Sequence, residues 1–502
     1  MHSVKLYDST ATYRRFSPYR TNDFDQQRNR QKFMTNSRLF RNISANTLQI
    51  VLNQFFGLAI FYALSKGVDK DLFGQINWAL AVLLTVFGIL TFGLDQVMVR
   101  KIAAGYSKEA IFSAYLQHVL ISGFLFYGLL LILYLFFPSI LSKNIFLLFI
   151  GVGKLAIYFS TPFKQLSVAL EKFGDLSRMS IVSNIFRGTV LNFLLIIHFI
   201  SIPSILITFI LGDLLELTCC YFISRNLIPG IRSIKWNKQR RISLMRESLP
   251  QTGVVFFTAI MSRLDWILVG LLISSTKLAE YSFAYKIFEV STLPLLILAP
   301  LMIPLFTRMG KQGANLSRFY FLLEWQVIIA SLVGLVLNIG WVPFIDFISG
   351  GKYGAVNATT IFILSLSMPL LYFSNYLWTI QFARGNMRLI FQVLAVSLLI
   401  NIAGCVILIP LFRNEGAAIA YLVTTVAQAL IYLLKKPYAI EKFDWRLIVA
   451  PLTAIFCGYI SFSFAKGFVI QLTVGVGLFL FIIFLLKSMP VRDWQNLQSL
   501  YK

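Results

Sequence analysis

The side chains with chemistry to offer in this sequence sit where charge is costly. The stretch "MSRLDWILVG", residues 261–270, places Arg263 and Asp265 inside a long apolar run, and Lys154, Arg187, Asp213, Glu216, Lys286, Glu289 and Glu324 interrupt others. A charge near the centre of a bilayer costs about 2.5–3.5 kcal/mol on insertion scales, so such residues normally face a bundle interior or a wet cavity. Spacing sorts them. Arg263 and Asp265 are two apart, so on one helix they point to different faces and do not pair with each other. Lys286 and Glu289 are three apart, share a face and can satisfy each other; Asp213 and Glu216 are also three apart but carry like charge. With no basic residue in its own span, that second couple is costly unless one carboxyl is protonated or a cation binds. The cations suit anionic oxygens: Arg grips them with a planar fork, Lys as a compact point charge. The alternative is static pairing between helices: Asp265 with Lys286, Glu289 with Arg187, or Asp213 and Glu216 with Lys154 or Arg187. Glu324 lies near a helix end and can reach the interface.

The elements that must position these residues follow from composition. The chain has 502 residues, 57% hydrophobic and 13% charged, with a mean hydropathy of +0.74. A soluble domain carries roughly 25% charged residues. Apolar runs of about 20 residues recur, each long enough to span a bilayer as a helix. Candidate spans lie at 46–65, 76–94, 112–137, 144–162, 179–200, 202–223, 249–273, 281–306, 319–345, 358–378, 388–411, 415–434, 447–464 and 468–486. The expected fold is an all-α polytopic membrane protein of about 14 transmembrane helices. Pro294, Pro300 and Pro304 fall in one span and predict a kink or break there.

The formal net charge of +24 does not mark a nucleic-acid partner, because the basic residues lie in loops between apolar runs. With a cytoplasmic N-terminus, about 34 Lys and Arg fall inside and about 7 outside, the asymmetry that the positive-inside rule predicts. An even number of spans returns the C-terminus, with Lys487, Arg492 and Lys502, to the cytoplasm. Cys219, Cys220, Cys405 and Cys457 lie in apolar runs without metal-ligand spacing, and the three histidines, His2, His118 and His198, are scattered. "GVGKLAIYF" lacks both the earlier glycine and the Ser or Thr of a phosphate-binding loop.

Residues 1–45 are polar and basic and read as a disordered cytoplasmic tail, within which Met34 is a second possible start. The basic loop 224–248 divides the rest of the chain. Each half opens alike: "KDLFGQINWA", a span and "VMVRKIAAG" in the first, "TKLAEYSFAYK", a span and "LFTRMGKQG" in the second, so that Arg100 and Arg308 hold matching places. This predicts two six-helix lobes, 46–223 and 249–434, as parallel repeats, with two extra helices and a short tail in 435–502.

"DLFGQINWALAVLLTVFGILTFGLDQVMVRKIAAG" and "RESLPQTGVVFFTAIMSRLDWILVGLLISSTKLAEYSFAYKIFEV" carry a family resemblance. The chain resembles a Wzx-type O-antigen or exopolysaccharide flippase, in the polysaccharide-biosynthesis branch of the multidrug/oligosaccharidyl-lipid/polysaccharide exporter superfamily. The resemblance implies two lobes around a central cavity, alternating access in the cytoplasmic membrane, and an isoprenoid-diphosphate-linked oligosaccharide as cargo. Membrane lipid, a polysaccharide polymerase and chain-length proteins are the implied partners. It implies no enzyme activity and no cofactor beyond proton or sodium coupling. With that cargo, Arg263, Asp265, Lys154, Arg187, Lys286 and Glu289 are the candidate substrate-binding residues, and Asp213 and Glu216 the candidate ion-coupling pair. A multidrug cation exporter of the same superfamily is the alternative, disfavoured by the several basic residues within spans. A membrane polymerase or glycosyltransferase is a further one, disfavoured by short outer loops, the longest near 346–357.

Overall fold

The computed structural model describes residues 36–137, 145–228, 236–295, 302, 306, 320–435 and 445–486. Among these every regular element is helical: α1 (Asn36–Gly67), α2 (Lys70–Leu90), α3 (Leu94–Ala103), α4 (Lys108–Phe136), α5 (Phe146–Ala169), α6 (Phe173–Ile196), α7 (Ile202–Arg225), α8 (Lys238–Met261), α9 (Leu264–Leu272), α10 (Ser275–Ser291), α11 (Tyr320–Ser349), α12 (Ala358–Ala383), α13 (Met387–Leu434), α14 (Arg446–Phe464) and α15 (Phe468–Leu485), with one 3-10 turn at Ala355–Asn357.

Polar caps set where several of these helices begin. Asp69 accepts the Leu72 amide at 2.8 Å to start α2, Asn237 accepts the Arg240 amide at 2.9 Å to start α8, and Ser274 accepts the Lys277 amide at 3.2 Å to start α10. Each satisfies an amide that the first helical turn leaves without a partner. Ser201 and Ser204 cap α7 reciprocally.

Eleven helices among the described residues are long and apolar enough to cross a membrane, twelve if α8 and α9 form one span. The 48-residue α13 breaks at Arg413 (φ 54°, ψ −124°) and so holds the two spans expected at 388–411 and 415–434. Of the span expected at 281–306, residues 281–291 lie in α10, and 296–301 and 303–305 fall outside the described residues. The architecture is the all-α polytopic membrane fold expected from the apolar runs.

Several boundaries differ from those the apolar runs suggest. Helix α1 starts at Asn36, within the expected tail, and α8 starts at Lys238, within the expected linker; residues 1–35 and 229–235 lie outside the described residues. Helix α5 continues through Pro162 to Ala169, helix α10 starts at Ser275 rather than 281, and the expected span 76–94 ends as α2 at Leu90. Phe92 and Gly93, both at positive φ, separate α2 from α3. A turn at Thr292 ends α10, and Pro294 lies in the helical stretch 293–295 that follows, early enough in it that its missing N–H costs no helical hydrogen bond; Pro300, Pro304, Arg308, Lys487, Arg492 and Lys502 lie outside the described residues.

Helix α1 packs on α6, α5 on α4 and α7, and α6 on α7. Farther along the chain α11 packs on α12 and α14, α12 on α13, and α14 on α15. The two sets meet where α2 lies against α8, α9 and most extensively α10. Gly74 makes that approach possible: a Cβ there would overlap the Ser275 carbonyl, whereas at Gly57 nothing lies within 4 Å. Gly74→Ala is therefore expected to lower stability by about 1–3 kcal/mol, the usual cost of overpacking. Thermal unfolding of the purified protein measures this, with Gly57→Ala, expected to leave the midpoint unchanged or raised, as the matched control.

Candidate functional site

The apolar run that carries Arg263 and Asp265 does not form one helix. Helices α8 and α9 meet at a bend of 47°, and the break falls at Ser262 and Arg263. Arg263 is the cap residue of α9 (φ −147°, ψ 13°). Its guanidinium lies over the Trp266 ring, 4.7 Å from the centroid, and 5.7 Å from that of Tyr285. One nitrogen donates to Glu289 Oε1 of α10 at 3.0 Å. Lys286 Nζ donates to the other Glu289 oxygen at 2.9 Å and reaches Gln54 of α1 at 3.3 Å. Two cations thus share one carboxylate, leaving one positive charge in excess beside an aromatic wall. Lys286 and Arg263 keep 16% and 17% of their side chains exposed, so both remain reachable.

Asp265 stands apart from this group. Its carboxylate accepts the Tyr281 hydroxyl at 2.7 Å and the Trp266 amide at 2.9 Å. It sits in the first turn of α9, where the helix dipole favours an anion. Arg263 and Asp265 do not pair with each other, but the cause is a broken helix as much as spacing. Two of the static pairings considered from sequence, Asp265 with Lys286 and Glu289 with Arg187, are not formed: Asp265 is taken by Tyr281 and Glu289 by Arg263 and Lys286; the third, Lys154 and Arg187 at Asp213, is.

A second ionic cluster lies between α5, α6 and α7. Asp213, fully buried, receives Lys154 Nζ at 2.9 Å, and the Arg187 guanidinium is 2.7 Å from its other oxygen. That second approach is a charge contact without hydrogen-bond geometry. Glu216 is bound by Lys164 and by the Ser183 hydroxyl. The like-charge couple read from sequence is therefore surrounded by cations of neighbouring helices. Gly153 and Gly212 leave the room: a Cβ at the first would meet Asp213, and one at the second the Arg187 side chain. The Phe209 ring lies under both Lys154 and Arg187. Arg187 also bonds Asn184, which holds Asn53 of α1 at 3.0 Å.

The seam between the two helix sets is bridged at both ends. At the end nearer the basic loop, Lys101 of α3 meets Glu247 of α8 at 2.7 Å, Gln251 donates to Gln96 at 2.6 Å, and Thr252 donates to the Phe92 carbonyl at 2.9 Å. At the far end Lys70 of α2 meets Glu280 of α10 at 2.8 Å, over an aromatic plug that includes Tyr353. Burial pushes the Tyr353 phenol well above its ordinary range, with Glu280 and Asp69 adding to the effect, so it stays neutral. A cavity of 470 Å³ between α11, α12 and α14 lies apart from these charges; Asn338 and Ser365 supply polar groups among an otherwise mostly apolar lining.

Two sets of candidate residues are thus brought together, Arg263 with Lys286 and Glu289, and Lys154 and Arg187 with Asp213. Sequence reasoning missed Lys164, because the apolar run of α5 ends two residues before it. It also missed Lys277 and Glu280, which a helix start at 281 had left in a loop. Ser274, a serine at the true start, is the signal that could have found them.

A family profile described as "Polysaccharide biosynthesis protein" matches residues 39–310. Among solved structures, the chain is similar to the lipid II flippase MurJ in an inward closed conformation, at 16% identity and a TM-score of 0.71, over 91% of this chain and 99% of that one. It is also similar to a variant of the Vibrio cholerae MATE transporter VcmN, at 14% identity and a TM-score of 0.58, over 81% of this chain and 98% of that one. A third is a MOP superfamily transporter from Pyrococcus furiosus, at 12% identity and a TM-score of 0.54, over 84% and 96%. No curated protein matches the chain in sequence.

Proposed function

We propose, from the premise that the chain belongs to the polysaccharide biosynthesis protein family and has a membrane-transporter fold, that it carries an isoprenoid-diphosphate-linked oligosaccharide across the cytoplasmic membrane by alternating access. The observation that carries this reading is the Arg263 group. A planar, aromatic-stacked guanidinium and a lysine share a single carboxylate at a helix break inside the bundle, and the surplus positive charge suits a diphosphate that has shed its water. Lys154 and Arg187 are proposed as further cations met by the head group, and Asp265 orients Tyr281 beside it. The isoprenoid chain remains in lipid while the sugars cross in the wet interior.

The two helix sets act as lobes in this reading, with the Lys101–Glu247 end facing the cytoplasm and the Lys70–Glu280 end facing out. The excess of Lys and Arg in loops on one side supports that orientation. A cysteine placed at Asn237 should then resist an impermeant thiol reagent applied to intact cells; labelling from outside would contradict it. Asp213 and Glu216 are the proposed coupling pair for protons or sodium, exchanging a lysine or arginine partner for the coupling cation.

Depletion of the protein in its own cells tests the function. Diphosphate-linked oligosaccharide should accumulate out of reach of an impermeant glycosidase, and re-expression should clear it. If depletion leaves polysaccharide untouched but sensitises cells to cationic drugs, the chain is a multidrug exporter instead.

A further inference from the structure

The same Lys-x-x-Glu spacing occurs twice on α10, as Lys277–Glu280 and Lys286–Glu289. In each copy the lysine donates to the glutamate three residues on, at 2.7 Å and 2.9 Å. In each a second cation arrives from another element: Lys70 at 2.8 Å for Glu280, Arg263 at 3.0 Å for Glu289. The copies are offset by about 14 Å along the helix and roughly two and a half turns, so they leave α10 on opposite sides and form separate sites.

They differ in what they join. The Glu289 group sits mostly within α9 and α10. The Glu280 group crosses the seam, because Lys70 opens α2 and Glu280 belongs to α10. Beneath it the seam is packed with aromatic rings. Phe283 stacks on Tyr353 at 4.3 Å between centroids, Phe61 meets Phe73 at 4.8 Å, and Phe73 meets Tyr353 at 6.2 Å. Lys352 straps the loop after α11 to the end of α1 through the Lys66 and Val68 carbonyls, both at 3.4 Å. The Glu280 side chain is 6% exposed, but Lys70 and Lys277 keep 26% and 32%. A buried carboxylate thus holds two lysines that themselves remain within reach of an incoming anion.

We propose that Lys70 and Lys277 form a second anion site, for a diphosphate group, which Glu280 fills while the seam is shut. A diphosphate reaching the seam takes the two lysines, Glu280 is released, and the aromatic plug loses the bridge that closes it. This inference rests on the diphosphate cargo proposed above. The ligand shifts the seam because it binds the lysines only when Glu280 has left them, and a differential affinity of that kind is what moves a two-state equilibrium.

The probe is inorganic pyrophosphate, applied to the full-length protein with Cys219, Cys220, Cys405 and Cys457 replaced by alanine. Spin labels go on cysteines at Asp71 and Val356, exposed positions on either side of the seam. Pyrophosphate should add a longer-distance population, and sulfate at equal ionic strength should not. Glu280→Gln should show that population without ligand and should bind pyrophosphate at least tenfold more tightly than the parent, its internal competitor gone. Adding Lys70→Gln and Lys277→Gln should abolish that gain, while adding Arg263→Ala should leave it. A Glu280→Gln variant with no gain overturns the inference, as does a gain that survives loss of the lysines and vanishes with Arg263. If Glu280→Gln does not accumulate, the parent decides alone: a distance indifferent to pyrophosphate overturns the inference. A parent that flips diphosphate-linked oligosaccharide yet ignores pyrophosphate at the seam refutes this site and leaves the cargo standing. A parent that flips none refutes the cargo.

Discussion

Replacing Asp213 by alanine is expected to cost about 3–5 kcal/mol of stability, the penalty for removing one partner of a buried ion pair. The carboxylate is fully buried between Lys154 at 2.9 Å and Arg187 at 2.7 Å. Without it two cations with side chains only 9% exposed face each other over the Phe209 ring. Glu216, the carboxylate three residues along α7, cannot compensate, because it is engaged by Lys164. Few proteins hold more than roughly 5–15 kcal/mol in reserve, so little folded protein should survive in the membrane. Converting Lys154 and Arg187 to methionine in the same chain should restore much of the loss, since an apolar replacement of a whole buried ion group is often neutral. Thermal unfolding in detergent and abundance in the membrane report the outcome. A parent-like midpoint for Asp213→Ala would show that the cluster does not hold the helices together. The milder Asp213→Asn, Glu216→Gln double variant keeps the shape and addresses coupling. It should lose stimulation by a proton or sodium gradient while retaining downhill exchange, and an unchanged response to both gradients would remove the pair from that role.

Arg263→Ala is expected to do the opposite, sparing the fold and stopping transport. Glu289 keeps Lys286 at 2.9 Å when the guanidinium is removed, so no buried charge is orphaned and abundance should stay close to the parent. What disappears is the surplus positive charge and the fork stacked on Trp266 and Tyr285. Loss of a charged partner at a buried anion contact costs roughly 2–5 kcal/mol in binding, which corresponds to a fall in transport of more than tenfold. Arg263→Lys should recover part of it, because the charge returns without the planar two-point grip. Flipping rates normalised to protein in the bilayer test this. Parent-like transport by the alanine variant would exclude the site.

The contrast between these two substitutions could not be read from the chain alone. Apolar runs made the spans legible, including both halves of α13, where the run dips at Arg413 and Asn414. The break between α8 and α9 was not legible, because residues 251–273 contain no proline at the bend and read as one apolar stretch. Helix limits misled in two places. Lys164 lies past the apolar run of α5, yet the helix continues through Pro162 and delivers it to Glu216. Lys277 and Glu280 precede the apolar run of α10, yet Ser274 starts the helix ahead of them. The ionisable residues themselves were visible because charge inside an apolar run is conspicuous. Their partners were legible only in part: Lys154 or Arg187 from a neighbouring helix was one reading for Asp213 and Glu216, but Lys164 for Glu216, 52 positions away, and Arg263 for Glu289, 26 away, were not, and only packing brings them together.

The most direct measurement uses purified protein in liposomes with a fluorescent isoprenoid-diphosphate oligosaccharide in one leaflet and an impermeant quencher outside. The account predicts that the protein speeds exchange between leaflets well above protein-free liposomes, that Arg263→Ala removes the acceleration, and that a lipid of equal chain length with a cationic head group is not carried. Exchange no faster than in protein-free liposomes, or equal acceleration of the cationic lipid, would contradict it.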